Sequence, residues 1–268
     1  MNGRVLIIAG SDSGGGAGIQ ADIKTVSALG GYAATAVTAL TAQNTQGVFA
    51  VHEVPPDFVA RQMELVLSDI GADCLKTGML ATVPIIEAVA DAIDRFAPNV
   101  PLVVDPVMVA KGGAALLANN AALALVDKLV RRATLVTPNI PEAEVLLGRA
   151  IPDRAAMDDA ARDLLALGAK AVLLKGGHME GDELVDLLAQ ADGTLTAFTG
   201  ARIHSRSTHG TGCTLASAIA CGLAQGLDLV PAVARARAYV RKAIETAPGL
   251  GSGHGPLNHL HTVAEFQP

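Results

Sequence analysis

The sequence predicts a three-layer αβα fold with a mostly parallel central sheet, and three observations lead to this prediction. Short apolar runs alternate with longer segments of helical periodicity between residues 74 and 175. Hydrophobic residues make up 50% of the 268 residues but aromatic residues only 3%, so the core is built from aliphatic side chains, which suits strands buried on both faces. Polar residues follow several of the apolar runs, at the strand ends where parallel sheets bind ligands.

The first quarter of the chain predicts an opening α/β unit. Residues 4–9 predict a strand that Gly10 ends, residues 19–29 a helix, and residues 33–38 a second strand. Residues 39–47 form a polar cluster directly beyond this strand, for which a plain polar loop is one interpretation, and residues 48–54 predict an extra strand or flap. Pro55 and Pro56 stop that segment, and a helix is expected from residue 57 to about residue 68.

The remainder of the chain continues the alternation and then closes with a hairpin and two helices. The predicted strands are residues 74–77, 102–105, 135–137 and 171–175, and the predicted helices are residues 84–96, 121–130, 141–147 and 155–167. Residues 183–188 and 194–199 predict a small antiparallel edge, followed by helices at about 211–225 and 229–247. The glycine-rich residues 249–256 predict a flexible tail. No linker is long enough to divide the chain, so we expect a single domain over residues 1–268.

Charge and cysteine usage exclude several classes of protein. The formal net charge is −6, which argues against a broad attraction to nucleic-acid or membrane phosphates. The three cysteines lack metal-type spacing and form an odd set, which fits a reducing compartment. The N-terminal apolar run is too short for a secretory signal. We therefore expect a cytoplasmic protein.

Residues 209–213, His-Gly-Thr-Gly-Cys, predict a loop that delivers the N-terminus of an apolar helix. The unpaired N–H groups of a first helical turn and the helix dipole favour an anion, such as a phosphoryl group in transfer. The same dipole favours the thiolate form of Cys213, which makes this residue a candidate proton acceptor. The alternative is an ordinary glycine turn with Cys213 as a small core residue.

A second glycine-rich loop occupies residues 10–18, between the first predicted strand and helix. It lacks the glycine before Lys24 that a P-loop needs, and no acidic residue follows the next strand to bind a ribose. A loop that lets the backbone approach a small substrate fits better, with Asp22 as a polar anchor or, alternatively, as a solvated first-turn residue. Gln43 could read a heterocycle because an amide both donates and accepts, or could belong to a plain polar loop.

Polar groups at the other strand ends suggest phosphate and metal binding. Asn139 and Glu142, three residues apart at a helix start, could orient a hydrated Mg²⁺ or could form a capping box. Lys175 follows four apolar residues and could bind a phosphate, although a surface lysine is the alternative. A zinc site at His259 and His261 is a further hypothesis, weakened by the lack of an acidic or cysteine ligand nearby.

Two segments together resemble the hydroxymethylpyrimidine/phosphomethylpyrimidine kinases of thiamine biosynthesis, a family of the ribokinase-like superfamily. They are residues 9–22, AGSDSGGGAGIQAD, and residues 209–213, HGTGC, and the similarity runs from about residue 4 to about residue 260. The resemblance implies a ribokinase-like fold. It also implies an ATP- and Mg²⁺-dependent enzyme that phosphorylates 4-amino-5-hydroxymethyl-2-methylpyrimidine and then its monophosphate. Its partners are those two small molecules, with no nucleic acid or membrane, and a homodimer is left open.

The resemblance also assigns roles to individual residues. The implied catalytic residues are Cys213, Gly210, Thr211 and Gly212; the substrate-binding ones are Asp22, Gln43, Gly10, Met79 and Val107; the nucleotide-binding ones are Asn139, Lys175 and His209; and the metal-binding ones are Glu142 and Asp105. A pyridoxal-type vitamin kinase on the same fold is the main alternative, which Gln43 disfavours. A dinucleotide-dependent oxidoreductase and a non-catalytic binder are more remote alternatives.

Overall fold

A mostly parallel sheet forms the centre of the molecule. The structure, a computed structural model of the chain, describes residues 1–108, 116–117 and 121–264. Within these residues nine strands form one sheet in the order β3-β2-β1-β4-β5-β6-β7-β8-β9. The strands are β1 (Arg4–Asp12), β2 (Tyr32–Asn44), β3 (Gly47–Glu53), β4 (Cys74–Thr77), β5 (Leu102–Val104), β6 (Leu135–Val136), β7 (Ala171–Lys175), β8 (Glu183–Gln190) and β9 (Leu195–Ala201).

Strand directions confirm the predicted fold class. The pairs from β2 through β1, β4, β5 and β6 to β7 are parallel, whereas β3 at one edge and β8 and β9 at the other are antiparallel. The chain leaves β1 towards β2 on one side and returns to β4 on the other, so β1 and β4 flank the switch point where α/β sheets bind ligands.

Helices cover both faces of the sheet. The α-helices of the described residues are α1 (Gly18–Ala28), α2 (Pro56–Asp69), α3 (Val83–Phe96), α4 (Ala121–Lys128), α5 (Ile140–Leu147), α6 (Ala156–Leu165), α7 (Thr211–Ala224) and α8 (Leu229–Glu245). Helices α1, α7 and α8 pack on one face, and α2 to α6 pack on the other. In β1, Leu6 and Ile8 face the second layer and Val5 and Ile7 the first, which explains the continuous apolar run.

The plain polar loop considered for residues 39–47 is not observed. Strand β2 continues to Asn44, and only Thr45 and Gln46 form the turn before β3. The polar segment is extended because it pairs with two strands: Leu40 lies opposite Ser11 of β1 and opposite His52 of β3. These partners are distant in sequence or follow the segment, so local composition did not reveal them.

Other predicted elements differ less. The helix expected over residues 121–130 ends earlier, and a 3₁₀ turn (Val130–Arg132) follows α4. The tail of residues 249–256 is not a free glycine segment, because the His254 N–H donates to the carbonyl of Thr45 at 2.7 Å and Gly255 accepts from the His209 N–H at 3.1 Å. The tail therefore ties the β2–β3 turn to the loop before α7. Across the described ranges, no helix is both long and apolar enough to cross a bilayer.

Candidate active site

A cavity of about 570 Å³ lies beyond the carboxyl ends of the parallel strands. Its size is that of a small-molecule site. Thirteen of the fourteen residues proposed from the sequence line it: Gly10, Gln43, Met79, Asp105, Val107, Asn139, Glu142, Lys175, His209, Gly210, Thr211, Gly212 and Cys213. The parallel sheet thus brings together polar groups that are up to two hundred residues apart in the chain.

The loop before α7 adopts a conformation that requires glycine. Gly210 has a φ of 81°, in the left-handed region, and a methyl group at this position would overlap the carbonyl oxygen of Gly16. The two glycine loops are therefore packed backbone against backbone. Thr211, Gly212 and Cys213 of the first turn of α7 line the cavity, where the N-terminus of this helix would stabilise an anion.

Asp12 organises the first glycine loop, and the sequence analysis did not identify it. Its carboxylate accepts the N–H groups of Gly14, Gly16 and Ala17 at 2.7, 3.0 and 2.8 Å and lies 2.8 Å from Nε2 of His209. Burial opposes ionisation, but the hydrogen bonds from His209 and the backbone lower the pKa of Asp12 below its usual value. His209 thus joins the two glycine loops as well as lining the cavity.

The protonation state predicted for Cys213 is wrong. The pKa of the Cys213 thiol is raised to about 12, mainly by burial and in addition by the nearby carboxylates of Asp22 and Asp105. The positive charge of Lys76 and a hydrogen bond from the Gly18 backbone lower it without restoring the usual value. Tertiary burial outweighs the effect of the helix dipole on the thiol. Cys213 is therefore a neutral thiol in the free protein.

An acidic cluster surrounds Lys175, beside the loop before α7. The Nζ atom lies 3.1 Å from Oδ1 of Asp105 and 3.9 Å from Oε2 of Glu142. Burial opposes the charge on Lys175, but these carboxylates raise its pKa. An added methyl at Gly212 would lie 3.4 Å from the same Nζ, so the ammonium is adjacent to the α7 loop. A phosphoryl group between loop and lysine would meet positive charge from both.

Asn139 and Glu142 form the capping box that their spacing allows. The Glu142 N–H donates to Oδ1 of Asn139 at 2.9 Å, and Oε2 of Glu142 accepts the Asn139 N–H at 2.8 Å. Both residues also line the cavity. Burial raises the pKa of Glu142 to about 7, with Lys175 opposing and Asp105 adding to the shift. The capping box thus fixes side-chain oxygens of Asn139 and Glu142 at the cavity wall. Each of these oxygens makes one hydrogen bond in the cap and can accept a further interaction.

Asp22 is the exception among the proposed site residues. Its side chain is fully buried and lies beneath the cavity wall, where Oδ2 is 2.9 Å and Oδ1 3.0 Å from Nζ of Lys76. Ser217 of α7 also donates to Oδ1 at 2.7 Å. The carboxylate is occupied by these partners and does not line the cavity, so its role as a substrate-binding residue stays a prediction. The sequence signal was available, because Lys76 is a charged residue inside a short buried strand.

The apolar and amide positions lie on the side of the cavity formed by β1, β2, β4 and β5. Met79 is 8% exposed and its carbonyl accepts the Thr38 hydroxyl at 2.6 Å, which fixes the segment after β4. An added methyl at Gly10 would lie 3.1 Å from the Met79 sulfur, so the backbone of β1 and this side chain are in close contact. Val107 and Gln43 complete a wall suited to a small ring.

The C-terminal histidines are engaged elsewhere. Nε2 of His259 lies 3.0 Å from the hydroxyl of Thr214, and Nε2 of His261 lies 3.0 Å from the carbonyl of Tyr239. Burial lowers the pKa of His259 to about 4. No group of three or more metal-ligating His, Cys, Asp or Glu side chains occurs among the residues that the structure describes. The structure gives the zinc hypothesis no support.

Comparison with known proteins gives concordant matches. A family model described as phosphomethylpyrimidine kinase matches residues 12–258. A hydroxymethylpyrimidine/phosphomethylpyrimidine kinase of Rhizobium meliloti is 50% identical over 97% of the chain and 98% of its own length. The thiamine biosynthesis bifunctional protein ThiED of Geobacter sulfurreducens is 54% identical over 96% of the chain, but the chain spans only 52% of that protein.

A solved structure gives the same fold with a bound nucleotide. The ADP complex of Bacillus subtilis pyridoxal kinase matches with a TM-score of 0.88 and 35% identity, over 97% of this chain and 98% of that one. The similarity therefore covers the whole sheet and both helical layers.

Proposed function

The chain belongs to the phosphomethylpyrimidine kinase family and is a kinase, and we propose that it phosphorylates the hydroxymethyl group of 4-amino-5-hydroxymethyl-2-methylpyrimidine. In a second reaction it phosphorylates the resulting monophosphate to the diphosphate, in thiamine biosynthesis, with ATP as the donor. The observation that carries the proposal is the single cavity that joins a ring-sized apolar wall to a helix N-terminus and Lys175.

The acceptor ring would occupy the wall formed by Met79 and Val107. Gln43 at the end of β2 supplies both a donor and an acceptor, which suits the amino group and ring nitrogen of an aminopyrimidine. The hydroxymethyl group would then point towards Cys213. This arrangement leaves the side of the cavity near Lys175 for the phosphates of the nucleotide, which His209 and Asn139 help to line.

The N–H groups of Gly210 to Cys213 and the ammonium of Lys175 stabilise the phosphoryl group as its charge develops. Removing one such preorganised donor typically lowers kcat by roughly 10²–10³-fold. Because the transition state of phosphoryl transfer is loose, the hydroxyl needs orientation before it needs a strong base. A neutral Cys213 thiol can orient that hydroxyl, whose proton leaves late in the reaction to an oxygen of the transferred phosphoryl group; Cys213 itself can accept the proton only as the thiolate.

The residues around Lys175 also fit a magnesium ion. Mg²⁺ typically binds one or two protein carboxylates together with water and substrate phosphates. Asp105 and Glu142 supply two carboxylates on either side of Lys175, and Asn139 supplies an amide oxygen beside them. These are the residues that would hold Mg²⁺, which would supply positive charge to the phosphates when bound.

A pyridoxal-type kinase is the second candidate, because a pyridoxal kinase shares the fold with a TM-score of 0.88. Gln43 separates the two proposals. Substitution Gln43→Met should raise KM for the pyrimidine alcohol by about tenfold or more, through loss of one or two hydrogen bonds, and should change KM for ATP little. If Gln43→Met left the pyrimidine KM unchanged, Gln43 would not read the ring.

The direct test incubates the protein with Mg·ATP and either the pyrimidine alcohol or pyridoxal. We expect stoichiometric ADP and a phosphorylated pyrimidine, with turnover on pyridoxal at least about tenfold lower in kcat/KM, a difference of roughly 1.4 kcal/mol. Preference for pyridoxal would overturn the substrate assignment, and no ADP with either alcohol would overturn the kinase reaction proposed here.

The cytoplasm is the location that we propose for this activity, supported by three free cysteines. We also propose a homodimer that covers the edge hairpin, because Phe49 and Val51 of β3 are 70% and 42% exposed. Light scattering after gel filtration tests it. A dimer that Phe49→Glu dissociates is expected, and a monomeric wild type would contradict it.

A further inference from the structure

Lys76 is a charged residue in the core of the sheet, and none of the roles above uses it. It lies in β4, two residues after Cys74, so its side chain points into the layer of α1, α7 and α8. The whole side chain is 0% exposed. An unpaired ammonium in such a position would be strongly unfavourable, so Lys76 requires compensating partners. Buried charges of this kind are common at functional sites.

Asp22 and Ser217 are those partners, and they connect three elements. Both carboxylate oxygens of Asp22, from α1, lie within 3.0 Å of Nζ of Lys76, and Ser217 of α7 donates to the same carboxylate at 2.7 Å. Ser217 follows Cys213 by four residues, so the two side chains share one face of α7. The ion pair therefore holds the helical face that carries Cys213.

The ammonium also reaches the cavity wall. Lys76, Gly78 and Cys213 all border the cavity, although Lys76 has no solvent exposure. A methyl group added at Gly78 would lie 3.0 Å from Nζ of Lys76. The absence of a side chain at Gly78 thus brings the positive charge up to the floor of the cavity, beneath the thiol.

We propose that Lys76 and Asp22 are positioning residues for the transfer reaction: their buried ion pair anchors the reacting end of α7 and keeps a positive charge beneath Cys213. The inference rests on the proposed function, since it assumes that Cys213 meets the acceptor hydroxyl. Negative charge on the Cys213 thiolate before it accepts the proton, or on the substrate oxygen as the hydroxyl loses it, would be stabilised by the ammonium of Lys76.

Other charges face Cys213 as well, and they define what Lys76 contributes. Asp22 from α1 and Asp105 after β5 raise the pKa of the thiol, whereas Lys76 from β4 lowers it. Lys175, at the end of β7, also interacts with the thiol, but its ammonium is paired with the carboxylates of Asp105 and Glu142. Of the buried pair, Lys76 borders the cavity together with Cys213 and Asp22 does not, so removing the pair should raise the pKa of Cys213.

The test measures alkylation of Cys213 by iodoacetamide in the unliganded protein, between about pH 7 and 10, with peptide mass spectrometry to separate Cys213 from Cys74 and Cys221. Because Lys76→Met alone could unfold the protein, the decisive variant is Lys76→Met with Asp22→Asn, which leaves no unpaired charge. Ser217→Ala is the control that separates charge from anchoring, because it removes the hydrogen bond between α7 and the same carboxylate without changing a charge.

We expect the double variant to slow alkylation of Cys213 at fixed pH by about threefold or more, and Ser217→Ala to stay within about twofold of wild type. The double variant should also lower kcat by about tenfold with little change in KM for ATP. Unchanged alkylation in a folded double variant would overturn the inference. Alkylation needs no turnover, so this result is separate from a failed kinase assay, which would overturn only the proposed function.

Discussion

Two lysines at the ends of parallel strands make the same kind of ion pair in different surroundings. Lys76 of β4 and Asp22 are both 0% exposed, whereas Lys175 of β7 is 13% exposed and Asp105 is 2% exposed. Lys175 also has a second carboxylate, Glu142, at 3.9 Å, and it borders the open cavity. The sealed pair can only hold structure and charge in place, whereas the open lysine can exchange a carboxylate for a phosphate.

Substitution Lys76→Met should give the largest change in stability. It leaves Asp22 buried without a counter-charge, which costs about 3–5 kcal/mol in the free energy of unfolding. Urea denaturation of wild type and variant measures this difference. Lys175→Met is the matched variant and should cost less than Lys76→Met, because Asp105 and Glu142 line the open cavity, from which water can reach the carboxylates that it leaves. Equal losses would remove the distinction between the two lysines.

Substitution Lys175→Met should instead affect the reaction. We expect kcat for the pyrimidine alcohol to fall by about 10²–10³, because a positive charge on the transferring phosphoryl is lost. Steady-state kinetics measures this, with Lys170→Met as the control on an exposed lysine near the start of β7. A variant with near-normal kcat would show that the open lysine does not contact the phosphoryl group.

Much of this architecture was predictable from the chain because strands buried on both faces leave a clear apolar signal. The predicted bounds of β4 and β7 are confirmed to the residue. The segment 39–47 was not recognised as a strand, because its polar side chains show no strand pattern. Its extended conformation comes instead from backbone hydrogen bonds to β1 and β3. Local pattern reports burial better than it reports long-range pairing.

The candidate site shows the same division. Polar residues at strand ends indicated which groups would come together, and Cys213, Asn139 and Lys175 do line one cavity, although their roles stay predictions. The protonation state of Cys213 was wrong because it depends on burial and on Lys76, which only the folded chain brings beneath it. The spacing of residues in the sequence thus predicts which side chains come together better than it predicts their pKa values.

Adding one methyl beside each lysine sharpens the comparison. In Gly78→Ala the new carbon would lie 3.0 Å from Nζ of Lys76 and from Cβ of Ala9, in a closed space. We expect a loss of about 1–3 kcal/mol in unfolding free energy. In Gly212→Ala it would lie 3.4 Å from Nζ of Lys175, an ordinary contact, so stability should change by under about 1 kcal/mol while kcat falls. Thermal or urea unfolding measures both losses. A larger loss in Gly212→Ala than in Gly78→Ala would show that the Lys76–Asp22 pair has room to move.

The smallest expected effect concerns the pH dependence at the open lysine. The pKa of Glu142 is about 7 in the folded protein, above its ordinary value of 4.5, so folding favours the protonated form. Its contribution to stability is complete below pH 4.5 and is lost as the pH rises through 7. Glu142→Gln keeps an acceptor for the capping box but cannot ionise. Between about pH 5 and 8 its free energy of unfolding should therefore fall by about 1–2 kcal/mol less than that of wild type. Parallel stability curves for the two proteins would contradict the raised pKa.

The central claim is that the acceptor hydroxyl meets the phosphoryl group at Cys213, and single-turnover phosphorylation of the pyrimidine alcohol tests it most directly. Cys213→Ala should lower the rate of the chemical step by about 10²-fold or more without weakening ATP binding. Cys221→Ala, two turns further along α7, is the control and should stay close to wild type. A Cys213→Ala enzyme that transfers phosphate at the wild-type rate would contradict the account.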